Sequence, residues 1–334
     1  MKKTLIASAI AAATLSSAAF AAGPTIYGNI QLAYGHQSYD EGNGATEETL
    51  NDFFDNGSTI GVKADHEIAP GITGFMKAEF EFSADADNIN INEERGGGIN
   101  KLDEAYMGVK GGFGSVLVGS EDTVYEWTDM IDFTESSSYG DSLFDNQFQG
   151  EIAKDEEGDQ LQYVSPTIGG GLTVGVSVPL TNETRYSGQI AGMYTANMFD
   201  VALAYSMGKD QSGTEYGDSI GFAAKVKLNQ LAVIGQYETR SADAVAGVDI
   251  DSTERDLWAL AGVYGLGKTQ LALGYKMEEN GASVAEEKDL VFLQALHNLS
   301  DNMYAYVEFG VGSVDEGTDS ADTEKLVIGA AYNF

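Results

Sequence analysis

The sequence predicts an all-β fold: a 16-stranded antiparallel transmembrane β-barrel. Three observations carry that expectation. In Lys325–Phe334 the apolar side chains fall on Leu326, Ile328, Ala330, Tyr332 and Phe334, while Lys325, Gly329 and Asn333 take the alternate positions. A strict period of two is a strand with one apolar face, and this one has about the length of a tilted membrane-crossing strand. Segments of the same kind recur roughly every 20 residues along the chain. The connections between them alternate between short and long, as in membrane barrels with an even strand number.

Taken in order, strands are expected at 25–37, 58–68, 72–83, 101–111, 113–121, 159–168, 171–179 and 187–196. The second half continues with 199–208, 217–228, 230–240, 255–264, 268–277, 287–297, 302–311 and 325–334. Several alternate cleanly: Leu172, Val174, Val176 and Val178 oppose Thr173, Gly175 and Ser177, and Leu271, Leu273, Tyr275 and Met277 oppose Gln270 and Lys276. Short turns sit at Ala69-Pro70-Gly71, Gly111-Gly112, Gly169-Gly170, Asn197, Asn229-Gln230, Gly265-Leu266-Gly267 and Ser300-Asp301. Long acidic or Gly/Ser-rich loops lie between them at 38–57, 84–100, 122–158, 241–254 and 312–324. A barrel of this size leaves a lumen for water, lined by the polar alternate face. The competing reading, a soluble protein of several sheets, requires the same apolar faces to meet in dry cores.

The amino-terminus supports export. Lys2 and Lys3 precede an apolar run from Leu5 to Leu15, and Ala19-Phe20-Ala21 supplies an A-x-A site. This is a secretory signal of residues 1–21, leaving the barrel as residues 22–334. No other stretch approaches the roughly 18 apolar residues of a membrane helix, so any crossing is made by strands. Cysteine is absent from a chain bound for an oxidising compartment, and proline occurs only 4 times in 334 residues. A closed hydrogen-bonded barrel does without disulfides, and its long ladders exclude proline.

Several segments resemble the general bacterial porins, the sixteen-stranded trimeric channels of Gram-negative outer membranes. They are Ile26-Tyr27-Gly28, Ser58-Thr59-Ile60-Gly61-Val62-Lys63, the run from Ala105 to Gly119, Tyr163-Val164-Ser165-Pro166, Leu299-Ser300 with Tyr304-Ala305-Tyr306, and Phe334. The strand–turn–strand run from Ala105 to Gly119 is the most specific, and together the segments cover the mature chain. The resemblance implies a water-filled channel for passive passage of ions and small hydrophilic solutes across the outer membrane. It implies a homotrimer, with the first and last strands near the subunit contact and the loop 84–100 (Asn88, Ile89, Asn90, Ile91, Asn92) reaching a neighbour. It implies contact with outer-membrane lipid and lipopolysaccharide, and an assembly signal in Phe334 and Tyr332 read by the outer-membrane assembly machinery.

In that family a long loop after the fifth strand folds into the lumen. The matching segment here, 122–149, is acidic and aromatic, and the constriction is expected to carry Asp122, Glu126, Asp129, Asp132 and Glu135. The facing wall departs from the family pattern: Thr59, Asp103 and Ser120 stand where arginines are usual. Lumen-wall charges are instead expected from Lys63, Lys77, Glu79, Glu81, Asp103, Glu104 and Lys110. With 52 acidic residues against 18 basic ones, the channel is expected to prefer cations, and nucleic acid is excluded as a partner.

Catalysis is not expected. His36, His66 and His297 fall on separate strands, and no Ser/His/Asp set assembles; His297 has the phase of an outward girdle position. No cofactor is implied. The acids from Asp243 to Asp251, and Asp315, Glu316, Asp319 and Asp322, offer carboxylates without the spacing of a defined calcium loop. Two other functions stay open: a porin tuned to one solute, and a structural or adhesive barrel with a plugged lumen.

Overall fold

The computed structural model describes residues 23–334 apart from 41, 43–47, 86–98, 137–156, 181–185, 212, 251–252, 282–285 and 317–318. The expected signal segment 1–21 and the central part of the loop 84–100 therefore lie outside the described residues. The strands are β1 (Thr25–Asp40), β2 in two parts (Glu48–Asp55 and Thr59–Ala69), β3 (Ile72–Phe82), β4 (Ile99–Gly111) and β5 (Gly114–Asp122). Next come β6 (Glu157–Val164), β7 (Leu172–Pro179), β8 (Tyr186–Thr195), β9 (Phe199–Gly208), β10 (Ser219–Leu228) and β11 (Leu231–Arg240). The last five are β12 (Arg255–Leu266), β13 (Thr269–Asn280), β14 (Glu286–Asn298), β15 (Met303–Glu316) and β16 (Asp319–Asn333).

Every neighbouring pair in sequence is antiparallel, and the ring closes because β1 pairs with β16 from Asn29↔Asn333 to Asp40↔Asp322. Both parts of β2 pair with β1 on its other edge, so they are one strand interrupted at Asn56-Gly57-Ser58, and the ring has sixteen members. Closure gives each strand two partners, which satisfies the backbone without water.

Polarity runs opposite to that of a soluble core. Leu203 is 57% exposed, Leu260 58% and Ile328 54%, whereas Gln160, Glu238 and Ser177 are 0% exposed. An exposed apolar band around a polar interior is costly in water and favoured in a bilayer. The alternation expected in β16 is observed, with Leu326, Ile328 and Tyr332 outward and Lys325 and Val327 fully inside. Phe334 closes the seam beside them: its N–H donates to the Gly28 carbonyl at 3.0 Å and its carbonyl accepts from Gly28 N–H at 3.1 Å.

Two segments expected as loops are strand in part. Residues 48–55 form the distal part of β2, with Phe53 exposed beside Tyr34 on the outer face of β1 and Leu50 opposite Gln37 in the inward phase. The hairpin of β15 and β16 continues through 312–316 and 319–324, where Val314↔Ala321 and Gly312↔Thr323 keep the ladder going. Acidic composition masked these extensions, because the ladder bonds backbone and tolerates charged side chains where the strands leave the membrane. Beyond β9 and β11, residues 210–211, 214–215, 243–245 and 248–250 form a small separate antiparallel sheet on the long-loop side.

Candidate functional site

The loop after β5 runs inside the barrel. Asp122 ends β5, and Val124–Thr128 then makes one short 3-10 helix. Val124 N–H donates to Ser177 Oγ on β7 at 3.1 Å, and Tyr125 Oη donates to Glu238 Oε2 on β11 at 3.2 Å. Glycines on the wall make room for this seat. A Cβ at Gly175 would stand 2.7 Å from Trp127 Cη2, and one at Gly221 would stand 2.6 Å from Thr128 Oγ1. Further along, Met130, Ile131 and Phe133 pack on Ala202, Ala223, Ile234, Leu257, Ala259 and Phe292. The loop stays on this side because its apolar face and the wall beneath it bury one another.

Its far end is tied to β14–β16 and β1 by a polar anchor. Gln294 Nε2 donates to the Phe133 carbonyl. The Glu308 carboxylate accepts from Glu135 N–H, from Ser136 Oγ and, at 2.9 Å, from Ser136 N–H. The Lys325 ammonium donates to the Ser136 carbonyl. Gln31 Nε2 and Tyr304 Oη each donate to Glu135 Oε2 at 3.0 Å. Asn56, at the break in β2, donates to the Glu135 carbonyl and to Tyr306 Oη at 2.8 Å. Sequence reasoning missed Glu308, Asn56 and Gln294. The available clue was an acid and an amide in the inward phase of otherwise apolar strands.

The loop acids divide into two sets. Asp122, Glu126, Asp129 and Asp132 are partly exposed, and Asp129 and Asp132 lie near enough to Lys225 on β10 to act on its charge. Glu135 does not join them, since it is 5% exposed and committed to the anchor. The distal loop acids Asp141 and Asp145 lie outside the described residues.

On the side of the barrel away from the described part of the loop (122–136), β2–β4 carry Lys63, Lys77, Glu79, Glu81, Asp103, Glu104 and Lys110. Register puts Lys63, Lys77 and Tyr106 in one inward row, and Gly61, Glu79 and Glu104 in the next. A bulge in β4 between Leu102 and Glu104 leaves Asp103 as the extra residue. Bulges re-aim side chains, and this one turns two consecutive acids to the same side. The carboxylate oxygens of Glu79, Asp103 and Glu104 come within 4.8 Å of one another, the only such group among the described residues. Lys77 Nζ bonds Glu104 and stands 3.8 Å from Glu79, so an ammonium already offsets part of this acid cluster. Lys110 and Asp65 form a looser pair at 3.6 Å, both about half exposed. Of the three positions expected to replace arginines, Thr59 pairs with Glu81 in the inward phase, whereas Ser120 pairs with Ala105, in the outward row of Val62 and Ala78.

The histidines lie apart on the outer surface. His36 Nδ1 is 2.8 Å from Asn51 Oδ1, and His297 Nδ1 is 2.9 Å from Thr269 Oγ1. In the long-loop sheet the Asp243 carboxylate is held by Arg240 and by Gly217 N–H at 2.8 Å.

Known proteins share this fold. A family described as Gram-negative porin matches residues 7–317. A monosaccharide porin from a Halomonas species is 31% identical over 388 aligned positions, covering 100% of both chains. A major outer membrane protein P.IB from Neisseria sicca is 24% identical, again over 100% of both. Among solved structures, the anion-selective porin from Comamonas acidovorans superposes with TM-score 0.72 at 15% identity, covering 93% of this chain and 99% of that one. Salmonella typhi OmpF, in complex with daunomycin, gives 0.70 at 18% identity, covering 93% and 97%. A trimer form of Vibrio cholerae OmpT gives 0.68 at 16% identity, covering 93% and 99%.

Proposed function

From the premise that this chain belongs to the Gram-negative porin family and is an outer-membrane channel, not an enzyme, we propose a general diffusion pore that passes small hydrophilic solutes and prefers cations. The observation that carries the preference is the division of the loop acids. Glu126, Asp129 and Asp132 keep part of their surface in the lumen, where low-dielectric walls focus their field. On the β2–β4 wall, Lys77 is paired with Glu104 and stands 3.8 Å from Glu79, so its charge is already offset. The acids therefore outweigh the ammonium groups around the loop. Asp122 adds to them at the loop's root.

The working unit of this proposal is a homotrimer, in line with the trimer form of OmpT. Tyr332 and Phe334, 52% and 51% exposed on the outer face, are the side chains the assembly machinery would read. A second reading, a pore tuned to one solute class, is favoured by the relative named for monosaccharides.

The test is the zero-current potential of the unmodified channel across a KCl gradient. Potassium should be favoured at low salt. The preference should fade as the Debye length falls from about 10 Å at 0.1 M to about 3 Å at 1 M. A chloride preference at low salt would overturn the cation reading. A reconstituted protein that conducts nothing would overturn the pore itself.

A further inference from the structure

A cavity of about 480 Å³ opens on the β2–β4 wall towards the short-turn end, in the range of small-molecule sites. Its lining includes Thr25, Lys63, Asp65, Phe75, Lys77, Tyr106 and Lys110. Three ammonium groups therefore meet a single carboxylate there, in a chain with 52 acids and 18 bases. This local reversal of charge is what calls for a ligand.

Two of the three cations are available to one. Lys77 is committed to Glu104. Lys63 makes no ion pair among the described residues and sits 4.8 Å over the Tyr27 ring. Lys110 shares Asp65 at 3.6 Å, with both side chains about half exposed, where such pairs hold little energy. The same ammonium lies 5.5 Å over Phe75, whose ring meets Tyr106 edge-on at 6.3 Å. Phe75 lies against Gly108, where a Cβ would come within 2.5 Å of its ring, so the ring is fixed in place. The cavity thus combines fixed aromatic carbon, two exposed ammonium groups, and hydroxyl partners in Thr25 and Asp65.

We infer that this cavity is a binding subsite for a monosaccharide carrying one carboxylate. The ring carbons of such a solute stack on aromatic surface, its hydroxyls bond Asp65 and Thr25, and its carboxylate lies between Lys63 and Lys110. The inference rests on the proposed pore, because the solute reaches the subsite only through a water-filled lumen. The acidic loop and the lysine cavity then act in series. The loop thins out simple anions, and the cavity retains the anion that also offers a sugar ring.

The test uses the full-length protein in planar bilayers at low salt, with galacturonate, glucose or acetate added to each side in turn. Galacturonate should reduce the open-channel current saturably, whereas glucose and acetate at the same concentration should not. In the pair Lys63→Gln and Lys110→Gln, the half-blocking concentration of galacturonate should rise by about tenfold, the lower end of what focused charge does to association. Lys63→Arg with Lys110→Arg should restore it. Equal block by acetate would reduce the site to a bare anion trap, and equal block by glucose would remove the role of the lysines. Either result overturns the inference, as does galacturonate block that the glutamine pair leaves unchanged. Should that pair fail to insert, the contrast among the three solutes on the unmodified channel still decides. A channel that conducts but shows no saturable block refutes the subsite alone, and one that never conducts refutes the pore.

Discussion

The inner wall of this barrel has two halves that obey the same alternation and differ in what they face. From β9 to β14 the inward positions carry Ala202, Ala223, Ile234, Leu257, Ala259 and Phe292, all buried beneath Met130, Ile131 and Phe133 of the loop. From β2 to β4 the same phase carries Lys63, Lys77, Glu79, Glu104 and Lys110. Apart from the bulge in β4, backbone geometry does not distinguish the halves. The apolar inward residues of β9–β14 are those the loop packs on, while charged ones of β2–β4, such as Lys77 and Glu104, pair with one another. The course of the constriction loop is therefore written in the wall beneath it as well as in the loop.

The covered half is most easily broken at its polar anchor. Glu308→Ala removes the acceptor for two backbone N–H groups and one hydroxyl. It also leaves the Lys325 ammonium, 1% exposed, without that nearby carboxylate. Loss of one member of a buried charged network costs about 3–5 kcal/mol. We expect a lower heat-dissociation temperature on unheated gels and flickering current as the loop end moves. A variant as heat-stable and quiet as the unmodified channel would show that the loop is held by apolar packing alone.

That packing is tested by filling its sockets. Gly175→Leu and Gly221→Leu push side chains into Trp127 and Thr128, and overpacking of this kind costs about 1–3 kcal/mol. Gly262 makes a control, since an added Cβ there meets no heavy atom within 4 Å. The two socket variants should lose thermal stability and gain current noise while Gly262→Ala changes neither. Equal behaviour of all three would mean that the glycines are not what seats the loop.

The barrel was more legible in the sequence than the site. The period-two pattern of strands such as β7, β13 and β16 follows from facing lipid on one side, and that constraint acts within each strand. It is readable locally. The site depends on contacts across the ring, such as Glu135 with Tyr304 and Gln31, which no spacing along the chain announces. Asp103 and Glu104 show the same limit from another direction. Simple alternation lets only one of two neighbours face inward, and it takes the bulge in β4 to bring both into the acid cluster. Acid-rich segments such as 48–55 and 319–324 read as loops because composition conceals a backbone ladder.

The smallest expected effect, and the finest test of the two environments, comes from acids on the loop itself. Asp129 and Asp132 are partly exposed, whereas Glu135 is 5% exposed and accepts from Gln31 and Tyr304. Replacing Asp129→Asn together with Asp132→Asn removes charge from the wet side of the loop and leaves Lys225 opposite. The potassium-to-chloride permeability ratio at 0.1 M salt should fall by about two- to threefold, the scale of one or two charges acting across high dielectric. Glu135→Gln keeps an acceptor for its partners and removes charge only from the dry side, so the ratio should hardly move, even as heat stability declines. Both measurements use the same zero-current potential. If Glu135→Gln shifts selectivity as far as the aspartate pair does, exposure is not what sets a loop acid's influence on passing ions, and the division between wet and dry faces of the lumen fails as an account of selectivity.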